Sequence, residues 1–140
     1  MPAKPARPRR SILDTEMARL ERQHLTSAAA LSRYVRDLRV AAMVSNKVGT
    51  YVATNAPASR LTGYSADELC NKMSVWDLTL PTNERETDVL WRNFVHVGKQ
   101  RGIVKLKTKK GLVVSVRYVA KSNLLKGLHI SLLQRVRTPS

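Results

Sequence analysis

The chain has 140 residues, a formal net charge of +15, 43% hydrophobic residues and one cysteine, a size that fits one domain with extensions and a core large enough to fold without staples. A lone cysteine, Cys70, excludes an internal disulfide, and no apolar run of about 18 residues is present to span a bilayer. The charge sits at the ends: residues 1–40 hold nine Lys/Arg against four Asp/Glu, 41–100 hold six of each, and 101–140 hold ten against none, which suits either a solvated basic face or a polyanion partner.

Residues 1–11 are expected to be a disordered basic tail, because Pro2, Pro5 and Pro8 deny a helix and Lys4, Arg7, Arg9 and Arg10 repel one another. The tail leads into a charged helix rather than an apolar core with a cleavage site. It does not read as a secretory signal, and the cytoplasm is the expected compartment.

An amphipathic helix is predicted over residues 12–39, with Ser11 and Asp14 as an N-cap pair. Leu13, Met17, Leu20, His24, Ser27, Leu31, Tyr34 and Leu38 recur at alternating steps of four and three. This is a heptad seam with two polar positions at its centre. Such a stripe needs a cover, either the chain's own sheet or a second chain. The second option makes Leu13, Met17, Leu20, Leu31, Tyr34 and Leu38 dimerisation residues.

Val40 to Ser45 reads as an apolar strand, Asn46 to Gly49 as a turn, and Thr50 to Thr54 as the returning strand. Asn55 can cap a short helix with Pro57 in its first turn and Gly63 at its end. Ser65-Ala66-Asp67-Glu68 is a capping box for a second short helix. Val75 to Leu78 makes a third. Pro81 opens a long helix with Glu84, Glu86 and Asp88 in its early turns, where the helix dipole favours them. Leu90, Phe94 and Val97 form its stripe, widened by Trp91 and Val95, and Gly98 stops it.

Three alternating strands follow. Val104, Leu106 and Thr108 share a face, as do Leu112, Val114, Val116, Tyr118 and Ala120. After a hairpin loop at 123–127, Leu128, Ile130 and Leu132 are expected to face in, and His129, Ser131, Leu133 and Arg135 out. Ile103, Val113, Val119 and Leu133 then form an apolar patch on the outer face, a dock for the N-terminal helix of this chain or a neighbour.

The order of elements over residues 40–136, with the Asn55-x-Pro57 entry and the run Leu61-Thr62-Gly63-Tyr64-Ser65-x-x-Glu68-Leu69, resembles the PAS family of sensor modules. The resemblance implies an α+β domain, in which a five-stranded antiparallel sheet carries short helices and one long helix on one face with a pocket between. The N-terminal helix is an extension of it that often mediates dimerisation in the family. Residues 137–140 form a tail.

The large residues taken as inward-facing, Tyr51, Trp76, Leu90, Trp91, Phe94, Leu106, Val116, Tyr118 and Ile130, are candidate pocket lining; each alone is equally an ordinary core side chain. The resemblance disfavours haem, because Asp88 occupies the position of the iron-binding His and His96 lies two turns beyond it. It also disfavours a flavin adduct, because Ser74 stands where the reactive cysteine belongs and Cys70 comes about four residues early. The cofactor is therefore unknown.

No metal-ligand spacing, Gly-rich phosphate loop or ordered triad is present, and the chain reads as not an enzyme. The leading expectation is a signalling module that binds a small molecule or protein and acts by rearranging a homodimer. The alternatives are a nucleic-acid-binding or transcription-regulatory module using the basic surface, and a sensor fragment whose output domain lies beyond the linker-like residues 134–140.

Overall fold

The structure, a computed structural model, describes residues 11–80 and 84–137, the side chains of 84–88 excepted. The tail expected over residues 1–11, apart from Ser11, and the helix start at Pro81 lie outside the described residues, as do residues 138–140.

Among the described residues eleven elements follow one another. They are α1 (Ile12–Arg22), α2 (Ala28–Arg36), β1 (Ala41–Asn46), β2 (Tyr51–Thr54), α3 (Ala56–Thr62), α4 (Ala66–Leu69), α5 (Val75–Leu78), α6 (Glu84–Val97), β3 (Lys99–Lys107), β4 (Val113–Leu125) and β5 (Leu128–Arg135). The strands form one antiparallel sheet in the order β2-β1-β5-β4-β3. Helices cover both of its faces, giving three layers with the sheet in the middle.

The short elements form where the sequence places their caps. The Ser11 hydroxyl accepts from the Asp14 N–H at 3.1 Å, and Asn55 caps α3 while Gly63 closes it at φ 80°. Ser65 and Glu68 exchange both bonds of the capping box. Asn46 holds the first hairpin by accepting from the N–H groups of Val48 and Thr50, with Gly49 at φ 85°.

The single helix predicted over residues 12–39 is two helices. Ser27 takes the N-cap of α2, its hydroxyl accepting from the Ala30 N–H at 3.1 Å, and His24 turns the chain at φ 50°. Ser27, one of the polar residues at the centre of the seam, bonds the local backbone and starts a new helix there.

The seam itself is covered by the chain's own sheet, which removes the surface assigned to dimerisation. Leu13, Met17, Leu20 and Leu31 are buried with Val35, Val40, Ala42, Val44, Ile130 and Leu132, and Tyr34 and Leu38 pack against the same cluster. Burial against this outer face leaves no continuous apolar seam for a second chain.

The inner core joins Met43, Tyr51, Ala58, Leu69, Leu78, Leu106, Val114, Val116 and Leu133. Thus β5 faces opposite to the expectation: Ile130 and Leu132 point to α1 and α2, while Leu133 points inward. The register agrees, since Tyr118 pairs with Leu133 and Ala120 with Ser131, and paired residues share a face. The hairpin loop at 123–127 is also tighter than expected, because β4 runs to Leu125, which pairs with Leu128 after a register shift.

Candidate functional site

A cavity of about 270 Å³ lies between the inner face of the sheet and the helices α5 and α6. The pleat sends alternate side chains of each strand into it. Met43 and Tyr51 come from the first hairpin, Val104 and Leu106 from β3, Tyr118 and Ala120 from β4, and Ser131 and Leu133 from β5. Trp76 of α5 and Leu90, Trp91 and Phe94 of α6 form the opposite wall. Leu90 is 56% exposed and stands at the mouth, whereas Phe94 is buried.

Seven of the nine sequence-chosen residues are brought together here: Tyr51, Trp76, Leu90, Trp91, Phe94, Leu106 and Tyr118. The other two require correction. Ile130 lies on the opposite face, in the core beneath α1 and α2. Val116 is fully buried in the inner core beside Leu106 and Val114, outside the lining.

Among the described residues the wall contains no charged side chain; its polar groups come from the two tryptophans, Gln100, Thr79, Ser131 and the two tyrosines. Burial pushes the Tyr51 phenol well above its ordinary range, with the Asp77 carboxylate adding to the effect. Burial also raises the Tyr118 phenol. Both therefore stay neutral donors near pH 7. The Tyr118 ring lies over Gly102, its cross-strand partner, whose added Cβ would meet Cε1 at 3.5 Å and the hydroxyl at 3.6 Å. Those are ordinary van der Waals distances, so the ring packs closely on this glycine without requiring it.

An aromatic cluster ties α6 to the sheet beside this cavity. Trp76 and Trp91 meet edge to face at 5.5 Å, Trp91 and Phe94 at 5.8 Å, and His129 contacts Trp91 at 5.4 Å and Phe94 at 5.8 Å. Such pairs stabilise by about 1 kcal/mol each beyond area burial. His129 was expected to face out. It is buried at 2% exposure, and its Nδ1 accepts from the Asn123 N–H at 2.9 Å. That bond leaves the proton on Nε2, which is buried without a hydrogen-bond partner among the described residues. Burial holds the imidazole below its ordinary pKa. The sequence signal for it was present: a histidine between Leu128 and Ile130 in the strand that lies mid-sheet is covered on both faces.

The cofactor positions considered in the sequence fall elsewhere. Cys70 caps the end of α4 and is absent from the lining, its thiol raised by burial and then by Asp67. Ser74 precedes α5, where its N–H and hydroxyl donate to Asp77 Oδ2 at 2.8 and 3.2 Å. His96 is exposed near the end of α6, and the Asp88 side chain lies outside the described residues. Among the described residues no group of three or more His, Cys, Asp or Glu is placed to hold a metal, and no helix is long and apolar enough to cross a membrane.

No family model matches the sequence, and no curated protein does. Solved structures do match. The PAS domain of an HTR-like protein from Haloarcula marismortui superposes with a TM-score of 0.64 at 16% identity, over 87% of this chain and 98% of that one. A domain of a sensory box sensor histidine kinase/response regulator from Geobacter sulfurreducens gives 0.61 at 18%, over 76% and 92%. The PAS domain of a LuxR-family transcriptional regulator from Burkholderia thailandensis, in complex with ethanol, gives 0.60 at 9%, over 74% and 95%. At these identities the likeness speaks to the architecture alone.

Proposed function

We propose, from the premise that this chain has the PAS fold, that it is a non-catalytic sensor module whose cavity takes a small, neutral, largely apolar molecule. The observation that carries this reading is the wall of the cavity: five aromatic side chains, aliphatic side chains, a few neutral polar groups and, among the described residues, no charge. A charged ligand would lose its hydration there with nothing to compensate. The volume, about 270 Å³, lies at the low end for ligand pockets, which favours a fragment-sized molecule over a large cofactor. The ethanol held by the Burkholderia thailandensis domain supports the same class of ligand for this fold.

The signal would leave through β5 and α6. Ser131 and Leu133 line the cavity, while their neighbours Ile130 and Leu132 carry α1 and α2 on the far side. A ligand that binds one packing of α6 better than another shifts both layers together. Regulation by rearrangement of a homodimer belongs to this proposal only through a surface other than the buried Leu13–Leu38 stripe. The polyanion reading is weaker, since Arg101, Lys109 and Lys121 already pair with Asp14, Glu68 and Glu21.

The test is a thermal-shift panel of neutral small aromatics and alcohols against carboxylate and ammonium analogues of matched size. At a hundredfold excess over Kd, a fitting neutral compound should raise the melting point by roughly 8 °C. Stabilisation by the charged analogues alone would sink the proposal.

A further inference from the structure

The outer face of the sheet is covered along part of its length, and the covered part shows what kind of surface it accepts. There α1 lies across β4 and β5 with Leu13, Met17 and Leu20 buried beneath it, and its ion pairs reach the neighbouring β3. Two carboxylates seven residues apart flank that stripe. Asp14 pairs with Arg101, and Glu21 pairs with Lys121 at 3.0 Å and Lys99 at 3.6 Å. Both carboxyls are held below their ordinary range. Burial works the other way for Asp14, and the Ser11 bond and Arg101 outweigh it. For Glu21 the hydrogen bond from Lys121 is the main cause.

The same face continues past α1 with the same alternation. Ile103, Lys105 and Lys107 on β3 stand opposite Arg117, Ser115 and Val113 on β4. Ile103 is 61% exposed, Val113 52% and the adjoining Leu112 64%. Lys105, Lys107 and Arg117 have no carboxylate partner among the described residues. Residues 1–10 and 101–140 contain no Asp or Glu, so they offer no carboxylate to answer these cations.

We propose that this open half of the outer sheet face is a docking surface for an acidic amphipathic helix of a partner protein, laid beside α1 in the manner of α1 itself. Apolar side chains of the helix meet Ile103 and Val113, and its flanking Asp or Glu side chains meet Lys105, Lys107 and Arg117. Apolar and cationic positions on this face lie two residues or one strand apart, about 5–7 Å, close to the spacing of about 5–6 Å at which a helix places a carboxylate three or four residues from its apolar stripe. Nucleic acid would answer the cations and leave the exposed aliphatic side chains with no partner. The surface is separate from the cavity, so the two proposals fail independently.

Fluorescence anisotropy with the full chain tests it. The probes are a labelled designed peptide of about four turns, with Leu along one stripe and Glu on both flanks, a scrambled peptide of the same composition, and a labelled single-stranded DNA oligomer. The patterned peptide should bind at least tenfold tighter than the scrambled one and lose affinity in salt. Ile103→Asp and Lys107→Glu should each weaken it about tenfold with the melting point of each variant unchanged. Equal binding of the scrambled peptide, tighter binding of DNA, or variants that bind as the parent does would overturn the proposal. So would a concentration-dependent dimer mass abolished by Ile103→Asp, which assigns the face to a second copy.

Discussion

Asn55 joins three elements with one side chain. Its Oδ1 accepts from the N–H groups of Ala58 and Ala42, both at 3.1 Å, and its Nδ2 donates to the carbonyls of Val35 at 3.0 Å and Val40 at 2.9 Å. The cap on α3 was legible because its partner lies three residues away. The other bonds reach 13 to 20 residues along the chain, which no local pattern reports. Asn55→Ala leaves buried backbone groups unpaired and should cost about 3 kcal/mol in urea unfolding; a loss within experimental error of zero would reject that role. His129 contributes in a pH-dependent way. Its folded-state pKa is lowered, so on acidification the unfolded chain binds this proton first. The stabilisation is complete above an ordinary pKa of about 6.5 and declines as pH falls toward the lowered value. The melting point should therefore drop between pH 7.5 and 5.5 by more in the parent than in His129→Gln. Parallel pH profiles would show that the imidazole binds its proton equally in both states, contrary to a lowered folded-state pKa.

At the scale of elements, capped and turn-bounded segments were legible and the facing of doubly covered ones was not. The short helices α3 and α4 announce themselves through Asn55, Gly63 and the Ser65–Glu68 box. Strand β5 does not announce its orientation, because His129, Ile130, Leu132 and Leu133 are all buried. A strand covered on both faces loses the alternation that fixes its parity. The heptad stripe of the N-terminal segment carries a similar ambiguity: its spacing shows that the stripe is covered, not by what. Intramolecular cover changes the expected mutant behaviour. Leu31→Ala should cost about 3 kcal/mol by chemical denaturation, and Leu20→Asp should unfold the chain or nearly so. A folded Leu20→Asp protein of unchanged stability and halved mass in light scattering would instead restore the stripe as an association surface.

For the molecule as a whole, one sheet serves two hydrophobic layers. The cavity was legible as a set of large residues, and seven of nine fell into place because their strands and α6 each present one apolar face. Ile130 missed with the parity of β5, and Val116 because the inner core is wider than the cavity. Both tryptophans of the chain, Trp76 and Trp91, line that cavity, so intrinsic fluorescence reads its occupancy directly. Titration of a small neutral alcohol or ether into the parent and into the cavity-filling variant Ala120→Phe tests the central claim. The account predicts a saturable change in tryptophan emission in the parent and none in the folded variant. A non-saturating response, or the same saturable response in both, would contradict it.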